Sequence, residues 1–422
     1  MTRLHSAAFS SLLVLVLTFA VSAQGTPVVQ IHDNLVRLTM AKRFNLTGSG
    51  KLIARDQARV KNLFARGNAK SAGEPRGLDA DPGHSIPATN QAVDYVVNVG
   101  VGTPPTTYSL IVDTGSSNTW VGAGKPFVKT SSSKQTTDSV SVTYGSGGFS
   151  GIEFDDTVSL GGSLKATGQG VGAANSSSGF QGVDGILGIG PTDLTLDTLS
   201  PDTNKEIPTI TDTLFAQRII PAHEVSVSFE PTTTENVVNG ELTFGGTDAS
   251  KFTGTITFAP ITHTSPASEF FGIDQSIRYG ASTSILSKTA GIVDTGTTLT
   301  LIATDALKRY QNATGAVLDN ATGLLRLTPA QFSKLQSLFF EINGVTFEFT
   351  ANAQIWPRAL NTEIGGDKNS VYLIVGDIGT PTGEGLDFIN GQTFLERFYA
   401  VFDSANKRVG LAKTKFTTAT TN

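Results

Sequence analysis

Residues 110–117 read Leu-Ile-Val-Asp-Thr-Gly-Ser-Ser, and residues 291–298 read Gly-Ile-Val-Asp-Thr-Gly-Thr-Thr. In each copy an apolar run delivers an aspartate, Asp113 or Asp294, into a segment of glycine and hydroxyl side chains. The two aspartates are 181 positions apart, a spacing too long for a solenoid repeat but suited to two domains of ordinary size. The repeat therefore predicts two related lobes, each carrying one aspartate.

The residues around the two copies favour strands. Short apolar runs bounded by turn residues occur at 94–99 and 108–112, and the chain contains 45 glycines with only 16% charged residues. Helical patterns are confined to short stretches near 211–217, 304–311 and 328–338, which are too sparse for an alternating βα sheet. We therefore expect an all-β protein of two lobes, with a cleft between them.

The first part of the chain differs in charge from the rest. Residues 1–79 contain 11 Lys and Arg against 4 Asp and Glu, whereas the remainder contains 20 against 32. A basic arm can bind an acidic partner, and here that partner can be the rest of the same chain. We interpret residues 24–85 as a basic propeptide, with a helix over 53–64 and a linker from Arg66 to Gly83. A disordered basic extension without inhibitory function is the alternative.

The start of the chain predicts secretion. Residues 1–23 combine Arg3, an apolar run and the small-residue sequence Val21-Ser22-Ala23, which is typical of a cleaved signal peptide. We expect a mature start between Ala80 and Asn90, although Lys42-Arg43 is a possible dibasic processing site. We further expect an N-terminal lobe over 86–258, a C-terminal lobe over 259–417 and a polar tail at 418–422, in an extracellular monomer without a membrane anchor.

Two facing carboxylates have a specific chemistry. If both turns meet in the cleft, Asp113 and Asp294 cannot both ionise comfortably and hold one proton between them over an acidic range. One carboxylate can then act as a base while the other acts as an acid. The glycine of each turn permits close backbone approach, and the hydroxyls can hydrogen-bond the carboxylates.

The chain resembles the pepsin-like aspartic peptidases, and secreted fungal members in particular. Besides the two Asp-Thr-Gly motifs, four segments are similar to features of that family: Trp120, seven residues after Asp113; Val-Thr-Tyr-Gly-Ser-Gly at 142–147, resembling the flap; Gly-Ile-Leu-Gly-Ile-Gly at 185–190; and residues 388–395 with 399–403. The likeness spans roughly residues 88–413. One Asp-Thr-Gly alone would be weak evidence, but the ordered set is specific.

The resemblance implies a two-lobed acid protease fold and hydrolysis of internal peptide bonds of extended peptides or unfolded proteins. It implies that Asp113 and Asp294 are catalytic, that no cofactor or metal is needed, and that pepstatin-type inhibitors bind. It also implies two further sets of site residues. The substrate-binding residues are Ile111, Gly115, Tyr144, Gly145, Ser146, Ile186, Gly296 and Thr297. The supporting residues are Thr114, Ser116, Trp120 and Thr295.

The sequence disfavours other classes of catalytic site. The absence of cysteine excludes disulfides, thiolate nucleophiles and Cys-ligated metals. His-Glu-x-x-His spacing and a Gly-x-Ser-x-Gly elbow are missing, and the acidic mature chain disfavours nucleic acid as a partner. The alternative function is a non-catalytic secreted binding protein on the same fold. Asn175, Asn312 and Asn320 lie in glycosylation acceptor sequences, and Asn390 stands where the family usually has an apolar residue.

Overall fold

The computed structural model describes residues 30–32, 35–46, 52–72, 91–145, 147–161 and 164–422. Within these residues strands are the main element. Those before residue 261 are β1 (Gln30–His32), β2 (Leu35–Leu46), β3 (Gln91–Val101), β4 (Thr106–Asp113), β5 (Trp120–Val121), β6 (Lys134–Tyr144), β7 (Gly147–Gly161), β8 (Leu164–Ser178), β9 (Gly185–Gly188), β10 (Leu199–Ser200), β11 (Glu224–Phe229), β12 (Val237–Phe244) and β13 (Thr253–Pro260).

Strands are also the main element after residue 261. They are β14 (Gly272–Tyr279), β15 (Thr283–Val293), β16 (Thr300–Ile302), β17 (Val317–Leu318), β18 (Leu325–Leu327), β19 (Leu338–Ile342), β20 (Val345–Phe349), β21 (Val371–Tyr372), β22 (Val375–Asp377), β23 (Phe388–Asn390), β24 (Phe398–Asp403) and β25 (Arg408–Lys413).

Helices in the described residues are short, with one exception near the start of the chain. The α-helices are α1 (Leu52–Ala72), α2 (Ile210–Ala216), α3 (Thr304–Thr314), α4 (Pro329–Phe332) and α5 (Gln392–Leu395). The 3-10 helices are η1 (Thr192–Thr195), η2 (Ala267–Glu269) and η3 (Arg358–Ile364).

The same strand arrangement occurs twice, once around each aspartate. In the first lobe, β4 ends at Asp113 and pairs in parallel with β9, which pairs antiparallel with β5. In the second lobe, β15 ends just before Asp294 and pairs in parallel with β23, which pairs antiparallel with β16. The fourth strand also corresponds, because β5 pairs in parallel with β8 and β16 with β22. This duplicated topology confirms the all-β, two-lobed fold.

Strands from both halves of the chain share one large sheet. Its order runs β10-β6-β7-β8-β5-β9-β4-β3-β2-β12-β11-β24-β25-β13 among the described residues. The segment before residue 86 contributes β2, which lies between β3 and β12 with antiparallel partners on both sides. Its residues Val36, Leu38 and Met40 alternate toward the core and are buried. This strand was not among the sequence-based expectations.

Two helix predictions were wrong in length. Helix α1 does not end at 64 but continues to Ala72 through Gly67. Gly67 lies against η2, and a β-carbon there would come within 2.5 Å of Cβ of Pro266, so glycine serves close packing at this position rather than ending the helix. The stretch 328–338 forms only the four-residue α4, capped by Thr328, and Leu338 already belongs to β19.

Candidate active site

The two Asp-Thr-Gly turns face each other and are joined through their threonines. The backbone amide of Thr114 donates to Oγ1 of Thr295 at 3.0 Å, and the amide of Thr295 donates to Oγ1 of Thr114 at 3.0 Å. The hydroxyl of Thr295 donates in turn to the carbonyl of Val112 at 2.9 Å. All four of these groups are buried, so the two turns are held in a fixed relative position.

Each carboxylate accepts the same pair of hydrogen bonds from its own turn. Asp113 accepts from the amide of Gly115 at 2.9 Å and from the hydroxyl of Ser116 at 2.5 Å. Asp294 accepts from the amide of Gly296 at 3.1 Å and from the hydroxyl of Thr297 at 2.6 Å. Asp113 is 1% exposed and Asp294 is 0% exposed, so both aspartates are buried.

An arginine of helix α1 bridges the two carboxylates. Nη2 of Arg59 lies 2.5 Å from Oδ1 of Asp113 and 2.9 Å from Oδ1 of Asp294, and Nε lies 2.7 Å from Oδ2 of Asp294. Because one nitrogen bonds an oxygen of each aspartate, the two carboxylates are close enough to act on one atom. A β-carbon at Gly115 or Gly296 would come within 2.4 Å of that same nitrogen, so both glycines are needed for the approach of any group to this point.

Burial and the charge of Arg59 act in opposite directions on the pKa of Asp294. Burial alone would raise the pKa of Asp294, but the charge of Arg59 and the hydrogen bonds from Arg59, Thr297 and Gly296 hold that pKa below its usual value. Burial disfavours the charged guanidinium, yet Asp113 and Asp294 together raise the pKa of Arg59 above its ordinary value. The guanidinium of Arg59 therefore stays charged.

The predicted flap begins where β6 ends and lies against helix α1. Tyr144 ends β6, and its hydroxyl accepts a hydrogen bond from Nε1 of Trp120 at 3.1 Å. Ile111, Ile186, Trp120 and Tyr144 belong to one buried apolar cluster on the cleft side of the first lobe. Gly145 lies against helix α1, because a β-carbon there would be 2.0 Å from the carbonyl oxygen of Ala58. Ser146 lies outside the described residues.

Asn390 has a partner that the sequence did not identify. Its Nδ2 donates to Oε1 of Gln275 at 2.8 Å, and Nε2 of Gln275 donates back to Oδ1 of Asn390 at 3.2 Å. Both residues are 0% exposed. The carbonyl of Asn390 accepts from the amide of Asp294 at 3.1 Å, so this pair of amides lies directly beneath the second aspartate and satisfies its own polar groups.

Sequence reasoning missed Arg59 and Gln275 at the site, and it missed strand β2 in the adjoining sheet. Only β2 had a readable signal, the alternation of Val36, Leu38 and Met40.

The predicted glycosylation positions Asn175, Asn312 and Asn320 are all exposed. In the part of the chain that the structure describes, no helix is long and apolar enough to cross a membrane, and no three His, Asp or Glu residues cluster as metal ligands.

Comparison with known proteins gives one consistent family. The family described as "Eukaryotic aspartyl protease" matches residues 94–414. The chain is similar to polyporopepsin from Irpex lacteus, with 70% identity over 338 residues that cover 80% of this chain and 99% of the relative. It is also similar to cathepsin E from Cavia porcellus, with 30% identity over 385 residues that cover 85% of this chain and 93% of the relative.

The structural comparison agrees with the sequence comparison. The crystal structure of an aspartic proteinase from Irpex lacteus superposes with a TM-score of 0.77 at 70% identity, and the match covers 78% of this chain and 96% of the other.

Proposed function

As a member of the eukaryotic aspartyl protease family, this chain is an aspartic-type endopeptidase, and we propose that Asp113 and Asp294 are the pair that activates its water. The observation that carries this assignment is the shared contact of both carboxylates with one nitrogen of Arg59. A water molecule in place of that nitrogen would contact both carboxylates at once. This geometry suits a pair that holds one proton between two oxygens.

The reaction needs only the two carboxylates and a water. The ionised aspartate removes a proton from water as the oxygen attacks the scissile carbonyl, while the protonated aspartate donates its proton to the carbonyl oxygen, giving a tetrahedral diol. The aspartate that took the proton from water then passes it to the amide nitrogen, while the other carboxylate takes a proton from a diol hydroxyl. The C–N bond breaks, and the amine and a carboxylic acid are released. Ser116 and Thr297 orient the carboxylates, and Thr114 and Thr295 fix the distance between the two turns.

The remaining site residues bind the peptide. Gly115 and Gly296 allow its backbone to approach the carboxylates, and Ile111 and Ile186 line the pocket beside the scissile bond. Tyr144, Gly145 and Ser146 close over the substrate as a flap, with Trp120 holding the Tyr144 hydroxyl in position. Closure of this kind excludes water from the reacting groups. Pepstatin-type inhibitors would occupy the same cleft.

We further propose that residues 24–85 are an inhibitory propeptide. Three contacts support this: Arg59 neutralises both aspartates, Ala58 packs on the flap at Gly145, and β2 fills an interior position in the large sheet. Lys42 of β2 also forms a buried ion pair with Glu396, and only 3% of Lys42 is exposed, so it is a poor processing site in the docked state. The helix occupies the space that an extended substrate needs.

Acid would release the helix through the aspartates. The pKa of Asp294 is lowered while Arg59 is bound, so its contribution to docking is present above the ordinary range of a carboxyl and is lost as pH falls through the lowered pKa. Asp56 acts in the opposite sense, because burial raises the pKa of its carboxyl from 3.8 to about 6. Its contribution to docking is fully present below 3.8 and lost as pH rises through about 6. Of these two groups, only Asp294 favours release as the pH falls.

We also propose that residues 1–23 direct secretion and that the mature enzyme is an extracellular monomer. The test of the whole proposal is cleavage of a denatured protein by the acid-treated, processed product at about pH 3 to 5, where a carboxylate pair with one proton can work. We expect cleavage that pepstatin abolishes. A folded, processed product without such cleavage would favour the non-catalytic binding protein instead.

A further inference from the structure

Helix α1 places a second cation between two acidic side chains from opposite lobes. Nζ of Lys70 contacts Oδ2 of Asp193 and lies 2.7 Å from Oε2 of Glu269. Asp193 belongs to η1 in the first lobe, and Glu269 ends η2 in the second. The two carboxylates thus form a clamp across the cleft, and the clamp already holds a lysine ammonium. We refer to Asp193 and Glu269 as the acidic clamp.

Backbone hydrogen bonds within each lobe contribute to the position of the clamp. The amide of Leu194 donates to the carbonyl of Pro191 at 3.0 Å, and the side chain of Leu194 is 0% exposed. On the other side, the amide of Glu269 donates to the carbonyl of Pro266 at 3.1 Å. Neither of these bonds involves a residue of α1, so neither has to break for the helix to leave. A further cation, Arg66, donates from Nη2 to the carbonyl of Leu194 at 2.8 Å beside the clamp.

The length of helix α1 gives the distance between the catalytic pair and the clamp. Lys70 follows Arg59 by eleven residues of one helix, which is about 16 Å along the helix axis. An extended peptide covers about 3.3 Å per residue. A substrate bonded at the catalytic pair would therefore bring a side chain to the clamp about five residues from the scissile bond.

We propose that Asp193 and Glu269 form a specificity subsite for a Lys or Arg side chain of the peptide substrate. This inference rests on the proposed function, because it takes the groove that α1 occupies to be the substrate cleft. The propeptide lysine then acts as a substrate mimic, in the same way that Arg59 occupies the place of the water. A basic side chain regains the two contacts that Lys70 gives up, whereas a neutral side chain forms no ion pair with either carboxylate.

The test uses the acid-processed enzyme and a set of matched peptides. All peptides share one scissile sequence, and Lys, Gln or Glu is placed singly at each position two to five residues from the bond on both sides. The measured quantity is the ratio of kcat/KM for the Lys peptide to that for the Gln peptide at about pH 5, within the range where the pair can work. At one position we expect a ratio of about two to five, the size of a partly exposed charge pair.

Three enzyme variants test whether the acidic clamp causes the preference for the Lys peptide. In the double variant Asp193→Asn with Glu269→Gln the ratio should fall to about one, and Glu269→Lys should prefer the Glu peptide. Glu206→Gln removes an exposed acid outside the clamp and should keep the wild-type ratio. Because each ratio compares two peptides with one enzyme, a difference in stability between variants does not alter it.

The outcomes separate the inference from the proposed function. A wild-type ratio near one at every position, or a preference that survives in the double variant, overturns the acidic clamp while pepstatin-sensitive cleavage of the Gln peptide leaves the endopeptidase assignment intact. If no peptide of the set is cleaved, the proposed function fails and the inference fails with it.

Discussion

Arg59 and Asp294 are 235 positions apart in the chain and are joined by hydrogen bonds from Nε at 2.7 Å and from Nη2 at 2.9 Å. The side chain of Arg59 is 13% exposed and that of Asp294 is 0% exposed. Removing one partner of a buried charge pair costs about 3 to 5 kcal/mol, because the other charge is left without compensation. The docked helix therefore depends strongly on this one arginine.

The first prediction concerns Arg59→Gln. We expect the precursor to show pepstatin-sensitive cleavage before processing, since a helix without its guanidinium binds at least about a hundredfold more weakly by that energy. The measurement is cleavage by freshly secreted precursor at about pH 5, where the pair can work, compared with wild type. Lys61→Gln is the matched control, because Lys61 is an exposed cation on the same helix. Equal latency of Arg59→Gln and wild type would contradict the inhibitory role.

The second prediction concerns the amide pair of Gln275 and Asn390. Replacing Asn390 with Leu leaves a buried glutamine amide without its partner, which should lower the free energy of unfolding by about 1 to 3 kcal/mol. Replacing both residues with Leu should recover part of that loss, since no unpaired amide remains. Urea unfolding of the pepstatin-bound enzyme measures both. Losses that simply add would show that the two amides are not coupled.

The third prediction concerns Glu153, a buried acid on the return strand of the flap. Burial, with a smaller contribution from Asp155, raises the pKa of this carboxyl from 4.5 to about 8; Lys205 lowers it and Asp138 raises it. Its Oε1 has no hydrogen-bond partner among the described residues. The native state thus binds a proton that the unfolded state releases. Stability from this group is fully present below 4.5 and is lost as pH rises through about 8.

Glu153→Gln should remove that pH dependence. We expect the variant and wild type to unfold alike at about pH 4, whereas at about pH 8 the variant should be more stable by an energy on the order of a few kcal/mol. The melting temperature of the pepstatin-free enzyme across this range provides the comparison, with Glu206→Gln as an exposed control. A parallel pH profile for Glu153→Gln and wild type would argue against a protonated Glu153.

The fourth prediction concerns the flap. Trp120→Phe removes the donor of the 3.1 Å hydrogen bond to the Tyr144 hydroxyl, and a neutral hydrogen bond contributes about 0.5 to 1.5 kcal/mol. We expect kcat/KM to fall about two- to tenfold. Tyr144→Phe removes the acceptor, so the double variant should be little worse than either single one. Fully multiplicative losses would mean that the two residues act separately.

The sequence predicted the parts of the site that are local in the chain. Asp113 and Asp294 each sit in a self-contained turn, where the glycine amide and the hydroxyl that bond the carboxylate lie two and three residues away. Such contacts follow from the motif itself. For Thr114 and Thr295, the family resemblance implied a supporting role, and the structure shows the hydrogen bonds that join the two threonines.

Other parts of the site depend on contacts between residues far apart in the chain. The basic segment contains many cations, and no local pattern distinguishes Arg59, which reaches the aspartates, from Lys61, which is exposed. The same limit applies to Gln275, whose partner is 115 positions away. Helix α1 was predicted too short because Gly67 looks like a helix end when its packing against Pro266 is not known.

The central claim is that Asp113 and Asp294 together activate the water, and Asp294→Asn tests it most directly. The variant precursor should be processed by an added protease, because it is not expected to process itself, and compared with wild type treated in the same way. We predict a fall in kcat/KM of at least about a hundredfold, with Asp202→Asn, an exposed aspartate, retaining wild-type cleavage. Pepstatin-sensitive cleavage by a folded Asp294→Asn enzyme at the wild-type rate would contradict the account.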